Sequence, residues 1–161
     1  MNNVLAELKE KLEDALKADV IRKFYQGEVL LVPQSYLPAL MVFGNSTTVV
    51  AKSTACDQFV YDITIRIIFD IKKVFSENGT KETLQAPELM AEIMEGKQND
   101  GTLRADSVLG VLRKVSNVRG TNFLFNNDIK IDYKTIQKGE FFYFQADCNL
   151  TATSDLIKRN S

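Results

Sequence analysis

The chain has 161 residues, 45% of them hydrophobic and 25% charged, with a formal net charge of −1 at pH 7. That length suits one domain with a real core, and so small a charge gives no general attraction to nucleic acid or acidic lipid. Histidine is absent, which removes Ser-His-Asp and Cys-His machinery, the usual general base and the commonest zinc ligand.

The two cysteines, Cys56 and Cys148, are too few for a structural zinc cluster. Cys148 sits in an apolar strand pattern and reads as a small buried hydrophobe. The opening Met1-Asn2-Asn3-Val4 lacks the basic region and apolar core of a signal peptide. No apolar run approaches the roughly 20 residues that span a membrane. The expectation is a protein of a cytoplasm-like compartment with no membrane segment, no metal and no cofactor.

In chain order, Asn3 is placed to cap a helix carrying Val4, Leu5, Leu8, Leu12, Ala15 and Leu16 on one stripe, which ends before Gly27. Glu7–Lys11 and Glu13–Lys17 form well-oriented pairs on its wet face. Val29-Leu30-Leu31-Val32 reads as a short strand stopped by Pro33. Pro38 opens a strand at Leu40–Phe43 that is apolar at every position, hence covered on both faces. Gly44-Asn45-Ser46 reads as a turn, Thr47–Val50 as a short strand, and the stretch to Asp57 as a polar loop.

A long alternating segment follows. Phe59, Tyr61, Ile63, Ile65, Ile67, Phe69 and Ile71 share one side, and Asp62, Thr64, Arg66 and Asp70 the other, with Val60 and Ile68 as exceptions. A period of two means a strand with one buried face. At about 3.3 Å per residue it reaches roughly 43 Å. A compact domain of this size is only about 40 Å across, so the strand crosses the whole domain or projects from it.

Ser76-Glu77-Asn78-Gly79 marks a turn within a loop spanning Lys72–Ala86. Pro87 suits the first position of a helix with Leu89, Met90, Ile93 and Met94 inward, and Gly96 suits its end. After a polar connector, Lys97 to Gly101, a further helix carries Leu103, Val108, Leu109, Leu112 and Val115 and closes at Gly120. Phe123-Leu124-Phe125 leads to a strand with Ile129, Ile131 and Tyr133 inward and Asp128, Lys130, Asp132 and Lys134 outward. Lys138-Gly139-Glu140 turns into a last strand with Phe142, Phe144, Ala146, Cys148 and Leu150 inward, and Thr151–Ser161 is polar enough to be a loose tail. The expected architecture is a single α+β domain: one mixed or antiparallel sheet with a long central strand and helices packed on it.

Candidate chemistry is sparse. Asp62 and Asp70 share a strand face but are too far apart to share a proton, and Asp128 and Asp132 alternate with lysines as on a solvated face. Arg104, Arg113, Lys114 and Arg119 around the last helix suit phosphate contact or, more ordinarily, the polar face of an amphipathic helix, with Asp100 and Asp106 diluting the patch. Phe141 and Tyr143, opposite the inward face, belong beneath a second layer of the same subunit or at a subunit interface. Glycine-rich phosphate loop, nucleophile elbow and cysteine-pair motifs are missing from the sequence.

The layout resembles the tail terminator (minor tail, tail-completion) proteins of long-tailed bacteriophages. An N-terminal amphipathic helix precedes a Pro-Ala-apolar strand, here Leu37-Pro38-Ala39-Leu40-Met41-Val42, and then a polar hairpin region. Tyr61-Asp62-Ile63-Thr64-Ile65-Arg66-Ile67 matches the long strand that follows. Ile129–Tyr133, Gly139 and Phe141–Leu150 fill the places of the two closing strands around a Gly-aromatic turn. The resemblance implies a non-enzymatic virion protein, assembled in the host cytoplasm. It would form a hexameric ring that caps the tail-tube protein, stops tube growth and docks to a head-completion or neck protein, with DNA passing through its channel. The same plan suits a head–tail connector or a tail-tube subunit. From another class, a small nucleic-acid-binding module of the host is the alternative. The candidate interface residues are Asn45, Thr48, Lys52 and Asp57 in the polar loop, Arg66 and Asp70 on the long strand, Lys73 beyond it, and Phe141 and Tyr143 in the last hairpin. The long strand itself offers either an edge for sheet continuation between subunits or a wall of the ring.

Overall fold

The computed structural model describes residues 1–16, 20–70, 80–116, 123–125 and 128–160. Among these, three helices pack on one mixed sheet, in the order α1 (Asn2–Ala15), β1 (Lys23–Gln26), β2 (Ala39–Ala51), β3 (Cys56–Asp70), α2 (Thr80–Glu95), α3 (Val108–Ser116), β4 (Phe123–Phe125), β5 (Lys130–Lys138), β6 (Phe141–Ser154) and β7 (Ile157–Lys158). The expected α+β architecture is therefore what the chain adopts.

The alternation in the long strand sets the layers. β3 is central, antiparallel to β2 on one side and to β6 on the other. At 15 residues it extends roughly 50 Å. Tyr61, Ile63, Ile65, Ile67 and Phe69 point to the helix side, where they meet Val4, Leu5, Leu8 and Leu12 of α1, Met90, Ile93 and Met94 of α2, and Val108, Val111 and Leu112 of α3. Ala146, Cys148, Leu150 and Ala152 of β6 complete this main core. The opposite face carries a second, smaller core at one end: Leu37, Ala39, Met41, Phe43 and Ile68, flanked by Tyr25, Val29, Val32 and Tyr143. β2 thus alternates between two cores, which explains why Leu40–Phe43 is apolar throughout.

Several local expectations are corrected. Val29–Val32 is not a strand; the strand is Lys23–Gln26, parallel to β2. A parallel pair needs a crossover, and residues 27–38 supply it without an α-helix, laying Val29, Val32 and Leu37 over the second core. Gly27, at φ +104°, permits the departure from β1. Asn3 is not the cap: α1 begins at Asn2, and the Leu5 N–H bonds to the Met1 carbonyl at 3.1 Å. The ion pair seen on its wet face is Lys9–Glu13 at 2.8 Å, and Lys17 lies outside the described residues. Gly44-Asn45-Ser46 is not a turn but a β-bulge inside one continuous strand, with the register shifting between Gly44 and Ser46.

α2 begins well before Pro87, which lies inside the helix. The stretch read as a loop up to Ala86 is helical from Thr80 onward; its earlier part, 71–79, lies outside the described residues. Gly96 does end the helix, as expected, but Leu89 is exposed rather than inward. α3 starts at Val108 rather than near Leu103, because the buried Ser107 hydroxyl caps it by accepting the Gly110 N–H at 3.1 Å. Gly110 also lets the Arg104 carbonyl approach; a β-carbon there would sit 1.9 Å from that oxygen. Gly120 lies outside the described residues. Phe142, expected in the core, is exposed at the β5–β6 tip. The tail is not loose up to residue 160: β6 continues to Ser154, and Ile157–Lys158 pair with Asp57 and Cys56 of β3.

Ile65 and Leu12 are each fully buried where sheet and helix layers meet. Truncating either to alanine is expected to lower stability by about 2–5 kcal/mol, read as a fall in the urea midpoint at unchanged slope. A loss under about 1 kcal/mol would mean the site collapses around the gap.

Candidate interaction surface

The sheet face away from the helices, beyond the small second core, is covered by no element among the described residues, and its side chains form a polar ladder across four strands. The Asn45 amide donates to Thr64 Oγ1 at 2.8 Å, Thr64 donates to Asn149 Oδ1 at 2.8 Å, and Asn149 reaches Asp132 at 3.4 Å. Ser46 donates to Asp62. With Asp128, Lys130 and Thr151, the residues Asn45, Asp62 and Asn149 line an open groove of mixed polarity at this end of the sheet, which Ile63, Ile129 and Leu150 complete.

The next rung is ionic. Arg66 binds Asp147 of the neighbouring strand in fork geometry, with Nε to Oδ1 at 2.7 Å and Nη2 to Oδ2 at 3.1 Å. Nη1 reaches Glu28 of the crossover loop at 2.7 Å, and the guanidinium lies 5.0 Å from the Phe43 ring centroid. Asp147, itself buried, also accepts from Gln145 and pairs with Lys134 at 3.2 Å. Burial pushes the Asp147 carboxyl up, but the hydrogen bonds and charges of Arg66 and Lys134 outweigh it and hold the group below its ordinary range. On the helix face, Tyr133 is pushed well above its usual value by burial and by the Glu95 carboxylate it donates to. Burial alone raises the Cys148 thiol to about 12, which leaves it an inert core group.

The sequence-derived interface residues are distributed along this surface rather than gathered at one point. Asn45 and Arg66 belong to the polar ladder. Thr48 is exposed on the outer part of β2. Lys52 and Asp57 stand at the β2–β3 tip, which is a tight hairpin and not the long loop expected, and Asp57 is held by Arg159. Asp70 is only 6% exposed, opposite Tyr143 at the other end of β3, so neither is a free surface group. Phe141 is exposed at the β5–β6 tip. Lys73 lies outside the described residues. Of the two readings of Tyr143 and Phe141, a second layer of the same subunit holds for Tyr143, which packs on the second core.

Sequence reasoning missed Leu30 and Leu31, 72% and 81% exposed near the β5–β6 tip, where Lys138 donates to the Leu30 carbonyl at 2.7 Å. Their place between Gly27 and Pro33 was the available signal for a loop. It also missed Glu28, Asp147 and Arg159, whose roles depend on partners distant in sequence. Within the arginine cluster, Arg104 is paired with Asp106 at 2.8–2.9 Å and Lys114 is exposed; Arg119 lies outside the described residues. Among the described residues no three His, Cys, Asp or Glu side chains gather as for a metal ion, and no helix is long and apolar enough to cross a membrane.

Arg66→Met leaves Asp147 buried without its forked partner and is expected to cost about 3–5 kcal/mol, whereas Arg66→Met with Asp147→Leu recovers most of the loss. The pH dependence has a defined sign. The unfolded carboxyl binds its proton near pH 3.9 and the folded one below that, so the stabilisation is present above the unfolded value and is lost as pH falls through the folded one. Urea midpoints measured between about pH 6 and pH 3 should fall less steeply in the double variant than in the parent. Parallel slopes would contradict the role given to Asp147.

No protein-family model matches this chain, and no curated protein matches it in sequence.

Proposed function

We propose that this chain is a structural assembly protein of a long-tailed phage: a ring-forming tail terminator that caps the tail tube, stops its growth and presents its other side to the head. The observation that carries this reading is the chemical difference between the two ends of one long sheet. At the β2–β3 tip the turn exposes Lys52, Ser53, Thr54 and Ala55, with the Asp57–Arg159 pair behind them and the exposed Leu156 and Ile157 beside it, whereas aromatic rings are absent from this exposed set. At the other end, Leu30, Leu31, Phe141 and Phe142 are exposed beside Lys138. The two ends stand roughly 50 Å apart along β3. A protein that joins two unlike partners needs two unlike contact surfaces held at a fixed distance, and a central strand paired on both sides along most of its length fixes it.

The partners that follow are other copies of the chain, the tail-tube protein at one end and a head-completion or neck protein at the other. The ring is hexameric by the resemblance, its place is the virion tail, and its mechanism is closure. A heterologous contact that completes a circle leaves no free site for further addition, whereas a tube subunit keeps stacking.

The test is to add the purified chain to tail tubes made without a terminator, then supply fresh tube subunits and image the products by electron microscopy. The expected result is a single ring at one end of each tube and no elongation from that end. Bare tubes that continue to grow would remove the capping role, and stacks of many rings would make the chain a tube subunit instead.

A further inference from the structure

Residues 27–38 leave β1, cross the sheet face away from the helices as a strap and return to β2. We infer that the cleft beneath this strap is a socket for one tryptophan side chain of a partner protein. The inference rests on the assembly reading above only for there being a partner at this end of the sheet; the chemistry of the occupant comes from the cleft. Two pins hold the strap across the sheet: Glu28 to Arg66 of β3 at 2.7 Å, and the Leu30 carbonyl to Lys138 of β5, also at 2.7 Å. Between strap and sheet lies a cleft of about 340 Å³, counted to its open mouth. Leu30, Leu31 and Val32 form its roof, and Ile68, Ile136 and Tyr143 its floor.

The observation that points to an occupant is Gln145 of β6, which is only 3% exposed and forms part of the cleft wall. Its Nε2 donates to both carboxylate oxygens of Asp147 at 3.0 Å. The two branches of an amide diverge, and Asp147 does not line the cleft, so Oε1 is left on the cleft side. Among the described residues no donor reaches that oxygen. A buried carbonyl oxygen is costly to leave without a donor, and a group that brings one is held correspondingly better.

The rest of the cleft narrows the identity of that group. Its aliphatic walls disfavour a charged occupant. Tyr143 offers a ring for stacking, and the Lys138 ammonium, held at the Leu30 carbonyl, suits the face of an aromatic ring, indole above others. The indole N–H donates and does not accept, which matches a lone acceptor among aliphatic side chains. A phenylalanine ring brings no donor, and a tyrosine hydroxyl brings acceptor lone pairs that these walls leave unmatched. The chain itself contains no tryptophan, so a second copy does not supply the group. The enclosed part of the cleft holds no more than about one water, so the ring enters as the Leu30 and Leu31 side chains rotate outward, which their exposure allows.

The experiment titrates N-acetyltryptophanamide with the full chain and follows the probe's fluorescence, which no tryptophan of the protein obscures. A saturable blue shift is expected, with NMR shift changes confined to the amides of residues 30–32, 136–138 and 143–145. The same probe methylated at the indole nitrogen has no N–H to give, and the parent should bind it at least about tenfold more weakly. Gln145→Leu should bind the two probes equally, and its thermal melting shows whether it is folded; if it is not, the comparison of the two probes on the parent decides alone. No saturable shift, equal binding of both probes by the parent, or shift changes elsewhere on the chain would each overturn the socket and leave the capping role standing. Free indole that binds where the capped tryptophan does not also overturns it, in favour of a small-molecule site. A parent chain that binds the probe as expected but caps no tubes upholds the socket and removes the assembly reading.

Discussion

The pairing of β3 on both sides organises the rest of the molecule. Its helix-side residues form the floor of the main core, and its other side supplies Ile68 to the second core and Arg66 to the ionic rung. Because register in a half-buried strand is fixed by its period of two, placing Ile65 against the helices also places Arg66 against Asp147 and Glu28. One strand therefore sets both layers and ties the crossover loop to β6 across the sheet. Arg66 is the bond between them: without it, Asp147 and the loop lose their shared partner.

This arrangement explains why the parts of the chain differ in how legible they are. The alternation from Phe59 to Phe69 and the stripe Val4, Leu5, Leu8, Leu12 each carry their own period, so strand and helix follow from local pattern and are found in place. The bulge at Asn45 was unreadable because Gly-Asn-Ser is ordinary turn chemistry, and only the fully paired partner strand keeps the chain extended there. Leu30 and Leu31 look like strand residues locally, yet the parallel β1–β2 connection claims them as loop. The tail reads as polar, but Ala152 and Ser154 are buried by the far end of β3, a contact almost a hundred residues away in sequence. Candidate interface residues were legible as polar and aromatic, not as bonded: Asp57 is held by Arg159, and Asp70 is closed in near Tyr143. Local pattern reports the period of an element, whereas partnership depends on topology.

The functional reading is of the same kind. The polar groups of the open face bond to one another across β2, β3, β6 and β5. Such a ladder stiffens a sheet. A stiff sheet whose two ends expose different side chains is suited to the assembly role proposed above. In the proposed function the two ends would meet unlike partners, and the distance between them is set by a strand that cannot shorten without losing both cores.

A cryo-electron microscopy reconstruction of tail-tube ends bearing this chain, computed without imposed symmetry, tests that claim most directly. The account predicts one closed ring per end, with the β2–β3 and β5–β6 tips of each copy at opposite faces of the ring. Density in which both tips lie on the same face, or tube ends that carry no copy of the chain, would contradict it.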